Sequence, residues 1–120
     1  MERMELIKNA MLDHIEIFLK ANHEFYPFGI LLDNDLQINS ITVIDQTIDE
    51  SIIENRNQIE KLVLKEKKYD SGGFCVDTTT PTTSRIQMNF ISKQSEGWIQ
   101  FYLPYNIKNG AINYGSFEDC

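Results

Sequence analysis

The first twenty positions carry one helical stripe. Met4, Ile7, Met11, Ile15 and Phe18 recur at spacings of three or four, Leu12 and Leu19 widen the stripe, and Glu5, Lys8, Asp13, Glu16 and Lys20 mostly fall outside it. This pattern predicts a helix over 2–22. Pro27 has no amide to continue it and drives Tyr26 toward extended geometry. Residues 28–32 then read as a strand, Asp33-Asn34-Asp35 as a turn, and 37–44 as the returning strand of a hairpin. Thr47-Ile48-Asp49-Glu50 has the form of a capping box, opening a second helix with Ile48, Ile52, Ile59, Leu62 and Val63 on one side. That helix is expected to end around 65–69, with Ser71-Gly72-Gly73 as the breaker.

Strand patterns fill the last third. Residues 73–79 form one strand and Pro81 sits in the turn after it. Residues 84–92 alternate strictly, with Ile86, Met88 and Phe90 on one face and Arg85, Gln87 and Asn89 on the other. Glu96-Gly97 turns the chain, 98–102 is nearly all apolar, Pro104 stops that strand, and Asn109-Gly110 precedes a short strand over 111–114. The order α-β-β-α-β-β-β-β with short connections predicts an α+β fold. It is an antiparallel sheet of about six strands with two helices packed on one face, in a single domain over 1–120.

The alternation also predicts an open face. With Ile86, Met88 and Phe90 turned toward the helices, and Phe74 and Val76 assigned the same direction, the far side presents Cys75, Asp77, Arg85, Gln87, Asn89, Trp98, Gln100 and Tyr102. Trp, Tyr and Arg carry much of the binding energy of protein interfaces. Arg85, Gln87, Asn89, Trp98, Gln100, Tyr102 and Asp77, with Tyr26 as a separate surface aromatic, are therefore the candidate binding residues. A solvated face and a homodimer contact are the alternatives.

Charge narrows the partners. Lys plus Arg is 11 and Asp plus Glu is 18, a net charge of −7. Nucleic acids and anionic membrane surfaces draw their ligands' affinity from basic residues, so neither is expected. A basic protein partner is favoured in encounter. The two cysteines, Cys75 and Cys120, define no disulfide framework, and no apolar run has the length of a membrane span. The N-terminus is acidic where a signal peptide is basic. The expected location is cytoplasmic.

No catalytic constellation is read. His14, His23, Cys75 and Cys120 have no metal-ligand spacing, so neither a metal nor a cofactor is expected. Cys75 lies mid-strand, away from a helix N-terminus that would activate a thiolate. Asp33 and Asp35 lack the glycine and distal glutamate of a calcium loop.

The stretch Glu24-Phe25-Tyr26-Pro27-Phe28-Gly29 stands out. Phe25 and Phe28 are expected to pack the junction of helix and sheet, and Gly29 to allow close backbone approach. Together with Val76-Asp77, Leu103-Pro104-Tyr105 and Tyr114-Gly115, it resembles a group of small bacterial proteins of unestablished function. Those proteins share an N-terminal helix followed by an E-F-[FY]-P-F-G motif. Ser84-Arg85-Ile86 and Ile91-Ser92 depart from the acidic strand start and the Glu-His pair of that group. The resemblance implies a fold and no activity. In size and charge the chain is also similar to immunity proteins of bacterial toxin systems. The function expected is a small protein-binding module of that inhibitor type, facing a basic toxin. A small-ligand-binding domain or enzyme, and a self-associating subunit, are the alternatives.

Overall fold

The computed structural model describes residues 2–22, 25–41, 46–94 and 97–119. Helix α1 (Glu2–Asn22) leads into strands β1 (Phe28–Asp33) and β2 (Ile38–Ile41). Helix α2 (Ile48–Glu60) continues into a π-helical turn (Lys61–Lys65) and then β3 (Tyr69–Asp77), β4 (Arg85–Ser92), β5 (Ile99–Lys108), β6 (Ala111–Tyr114) and a two-residue β7 (Glu118–Asp119). Every pairing is antiparallel, in the order β2-β1-β3-β4-β5-β6, with β7 beside β5. The predicted α+β class and the order of its six strands, β1 to β6, are those of the molecule, with the two-residue β7 added at the edge. The end of the predicted second strand, 42–44, lies outside the described residues.

Local chemistry accounts for the joints. Asp33 Oδ1 accepts from the amides of Asp35 and Gln37, both at 2.9 Å, closing the first hairpin. Thr47 Oγ1 accepts from the Glu50 amide at 3.1 Å and caps α2. Asn109 and Gly110 both take positive φ, 53° and 78°, as the β5–β6 turn requires.

The helices do not share a face. Ile7, Met11, Ile15 and Leu19 of α1 pack on Phe28, Ile30, Leu32, Cys75, Ile86, Met88 and Phe90. Ile59 of α2 and Val63 pack on Leu31, Phe74, Val76 and Ile91, which alternate with the first set and so point the other way. The sheet is a middle layer with one helix on each side. The expectation of a common face placed Phe74 and Val76 with Ile86 and Met88. In the actual register Cys75 pairs with Met88 and Phe74 with Asn89, and directly opposed residues share a face. A strand buried on both sides carries no alternation from which its facing can be read.

Two further boundaries differ. Ser71-Gly72-Gly73 is the interior of β3 rather than a breaker, because both helices approach its glycines too closely for side chains. Pro104 lies within β5 instead of ending it. It is opposite Arg85, the first residue of β4, at the point where β5 passes from β4 to β6; its carbonyl accepts from the Gly115 amide at 2.8 Å. A proline is tolerated where ladder pairing changes hands.

Candidate functional site

α2 and its π turn make their main sheet contacts with β1, β3 and part of β4. The remainder of that face, on β4 and β5, is left uncovered by a helix. It carries Arg85, Gln87, Asn89, Gln100 and Tyr102, brought side by side by the pairs Gln87↔Tyr102 and Asn89↔Gln100. These are five of the eight residues that the alternation assigned to the open face.

Their side chains are tied to one another. Gln100 Nε2 donates to Asn89 Oδ1 at 2.6 Å, and Asn89 Nδ2 donates to Gln87 Oε1 at 3.1 Å and to the Phe74 carbonyl at 3.4 Å. Gln87 Nε2 donates to the Tyr102 hydroxyl at 3.4 Å. The Arg85 guanidinium carbon lies 4.3 Å from the centre of the Tyr102 ring, and Arg85 Nη1 is 3.9 Å from Glu118 Oε1. Asn89 is only 3% exposed, so its amide is the buried hinge of the row and its bonds are obligatory. Asn89 and Gln87 each accept from one neighbour and donate to the next, which polarises the row.

Trp98 borders this row but serves another purpose as well. Its ring packs edge-on against Phe74, with centroids 5.1 Å apart, and lies 5.5 Å from the Arg56 guanidinium carbon. Its Nε1 donates to Glu60 Oε1 at 2.5 Å. Trp98 thus pins the end of α2 to the sheet.

Two candidates are elsewhere. Asp77 belongs to the α1 side of the sheet, a consequence of the reversed facing of β3. The Tyr105 hydroxyl donates to Asp77 Oδ1 at 3.2 Å, and Thr79 Oγ1 donates to the same oxygen at 2.5 Å. Tyr26 is 73% exposed between α1 and β1, with β3 separating β1 from the row on β4 and β5. Neither joins the patch.

The Asp77 cluster has no signature in the sequence, since Thr79 and Tyr105 are 26 positions apart. Burial raises the Tyr105 phenol above its ordinary value, against the lowering effect of the Thr79 bond. The neighbouring Tyr114 phenol is pushed up to about 12, first by burial and then by the charge of Glu16. Both phenols are therefore protonated at neutral pH, and the cluster is a carboxylate held by hydroxyls. Burial alone holds the Cys75 thiol well above its usual range. A neutral, fully buried thiol is a core residue rather than a nucleophile.

Among the described residues, no three His, Cys, Asp or Glu side chains are grouped to hold a metal ion. No helix among them is long and apolar enough to cross a membrane. No protein-family model, curated protein or solved structure matches the chain.

Proposed function

We propose that the chain is a protein-binding module whose contact surface is the open half of the α2-side sheet face. One observation carries this reading: Arg85, Tyr102, Gln87, Asn89 and Gln100 form a single hydrogen-bonded and stacked row that neither described helix covers. Side chains already fixed by their neighbours lose less freedom on binding, so their contacts are retained as affinity. A stacked Arg–Tyr pair is the kind of anchor that dominates interface energetics. The net charge of −7 supports the finer reading, a cytoplasmic immunity-type inhibitor that caps a basic toxin.

The test is affinity capture from the native host with wild type and with Gln87→Ala/Tyr102→Ala, after both are shown to fold. A protein retained by wild type and lost by the double variant supports the module. Recovery of none, or equal recovery by both, overturns it. A captured partner that is acidic overturns the toxin-inhibitor reading alone. A partner that proves to be a second copy of the chain replaces it with self-association.

A further inference from the structure

The outer edge of β5 is closed by residues 111–119 of the same chain, and only lightly. β6 pairs with Tyr105–Lys108 of β5, and β7 pairs with Phe101 and Tyr102 alone. Between these pairings the register slips. Tyr105 faces Tyr114 but Tyr102 faces Glu118, so three steps along β5 match four along the other segment, a bulge over 115–117. Beyond it, the segment is held by few contacts. The Phe117 ring lies edge-on to Phe101, with centroids 6.3 Å apart, and 5.1 Å from Lys8 Nζ, yet Phe117 is 42% exposed. Glu118 reaches Arg85 only at 3.9 Å, with both side chains well solvated. Pairs of this kind contribute little, and segments with few buried contacts open first.

The contacts also describe what fits this edge. On the α1 side stand Phe101 and Lys8; on the other side stand Tyr102 and Arg85. When residues 116–119 leave, they take Glu118 with them, and Arg85 remains without that carboxylate beside an unpaired strand, while Lys8 on the other side stays paired with Glu5 at 2.7 Å. An unpaired edge is a template for another strand. Main-chain bonds would give such a strand its affinity, and alternate side-chain contacts its specificity.

We propose that the outer edge of β5 is a strand-addition site, held in the isolated chain by residues 116–119 and taken over by an extended acidic segment of a protein partner that sets an aromatic residue on Phe101 and a carboxylate beside Arg85. This surface is the sheet edge; it adjoins the face assigned above and shares Arg85 and Tyr102 with it, but it selects an acidic strand whatever the charge of a partner on that face.

The probe is a labelled peptide with the sequence of residues 114–119, added to the full chain as wild type and as Phe117→Ala/Glu118→Ala. The tethered segment competes at a high effective concentration. The double variant is therefore expected to bind the peptide about tenfold or more tightly than wild type, and to ignore a peptide whose Phe is Ala. Equal affinity for both proteins, or no binding by a folded variant, overturns the proposal. Hydrogen exchange on wild type gives a second reading that needs no variant. The amides of Glu118 and Asp119 are expected to exchange at least about a hundredfold faster than the centre of β4; equal protection also overturns the proposal. Failure here leaves the capture experiment on the open face untouched, and the reverse holds.

Discussion

Gly72 and Gly73, neighbours in β3, receive different helices. A Cβ on Gly72 would stand 2.9 Å from Ile59 Cγ2 of α2, and one on Gly73 would stand 2.7 Å from Met11 Cε of α1. Gly73 is the tighter of the two, because its Cβ would also lie 2.5 Å from the backbone oxygen of Asn89 on β4. A side chain can turn aside, whereas a paired carbonyl cannot move without parting the strands. Gly73→Ala is therefore expected to destabilise by more than the about 1–3 kcal/mol usual for overpacking, and Gly72→Ala to fall within that range. Urea unfolding of the two variants checks the order.

Phe28 and Tyr26 divide the Phe25-Tyr26-Pro27-Phe28-Gly29 stretch between core and surface. The Phe28 ring meets Phe25, Phe18 and His14 at centroid distances of 5.9, 5.7 and 5.7 Å. Phe28→Ala should lose about 3–5 kcal/mol. Tyr26→Ala should stay within about 0.5 kcal/mol, as exposed positions do. Thermal denaturation of both, followed by circular dichroism, decides it.

Tyr114 brings a buried hydroxyl with no hydrogen-bond partner to the α1 side of the sheet. Tyr114→Phe removes that group and is expected to leave stability unchanged or raised, since an unsatisfied polar atom costs about 1–3 kcal/mol. The same residue sets an alkaline limit. Its phenol titrates near 12 when folded, against an ordinary value of 10.0. The native state then holds the proton more tightly than the unfolded chain. Its contribution is complete below 10 and is lost as pH rises from 10 toward 12. Melting temperatures measured across this window should fall more steeply in wild type than in Tyr114→Phe.

Cys75 is sealed between α1 and the sheet, its Sγ 3.9 Å from the Phe28 carbonyl oxygen. In a Cys120→Ser background the thiol should react with a disulfide reagent only as fast as the protein opens, and immediately in denaturant. Rapid modification without denaturant would show that α1 lifts from the sheet.

These positions also show where the sequence speaks plainly. β4 alternates, so the pattern alone separates Ile86, Met88 and Phe90 from Arg85, Gln87 and Asn89, and β5 inherits its facing through the ladder. The open row is legible for that reason. β3 is central and buried on both sides, so Phe74, Cys75 and Val76 are all apolar or small and give no phase. Assigning them the wrong phase moves Cys75 and Asp77 to the wrong face and hides the second helix layer. α2 compounds this, because the side it turns to the sheet includes buried Ser51 and Asn55 ahead of Ile59. A polar start to a buried stripe does not resemble a core-facing helix. The Asp77–Tyr105 contact depends on two strands being laid together and has no local signature at all.

The strand order has a consequence for how the chain reaches this state. Along the sheet, β1 with β2, and β3 through β6, are hairpin neighbours that close over short spans. The joint between β1 and β3 spans the longest stretch of sequence, because β2 and α2 lie between its halves. Closing that long loop precedes the contacts that reward it, so it is expected to be the slow step in assembly. Gly29 and Gly72 lie along the joint, in β1 and β3 respectively. Substitutions that widen it should slow folding, whereas those in the β4–β5 hairpin should mainly speed unfolding, a division that stopped-flow kinetics would resolve. The molecule is thus two quickly made pieces with a single seam, and the glycines are what allow the seam to close.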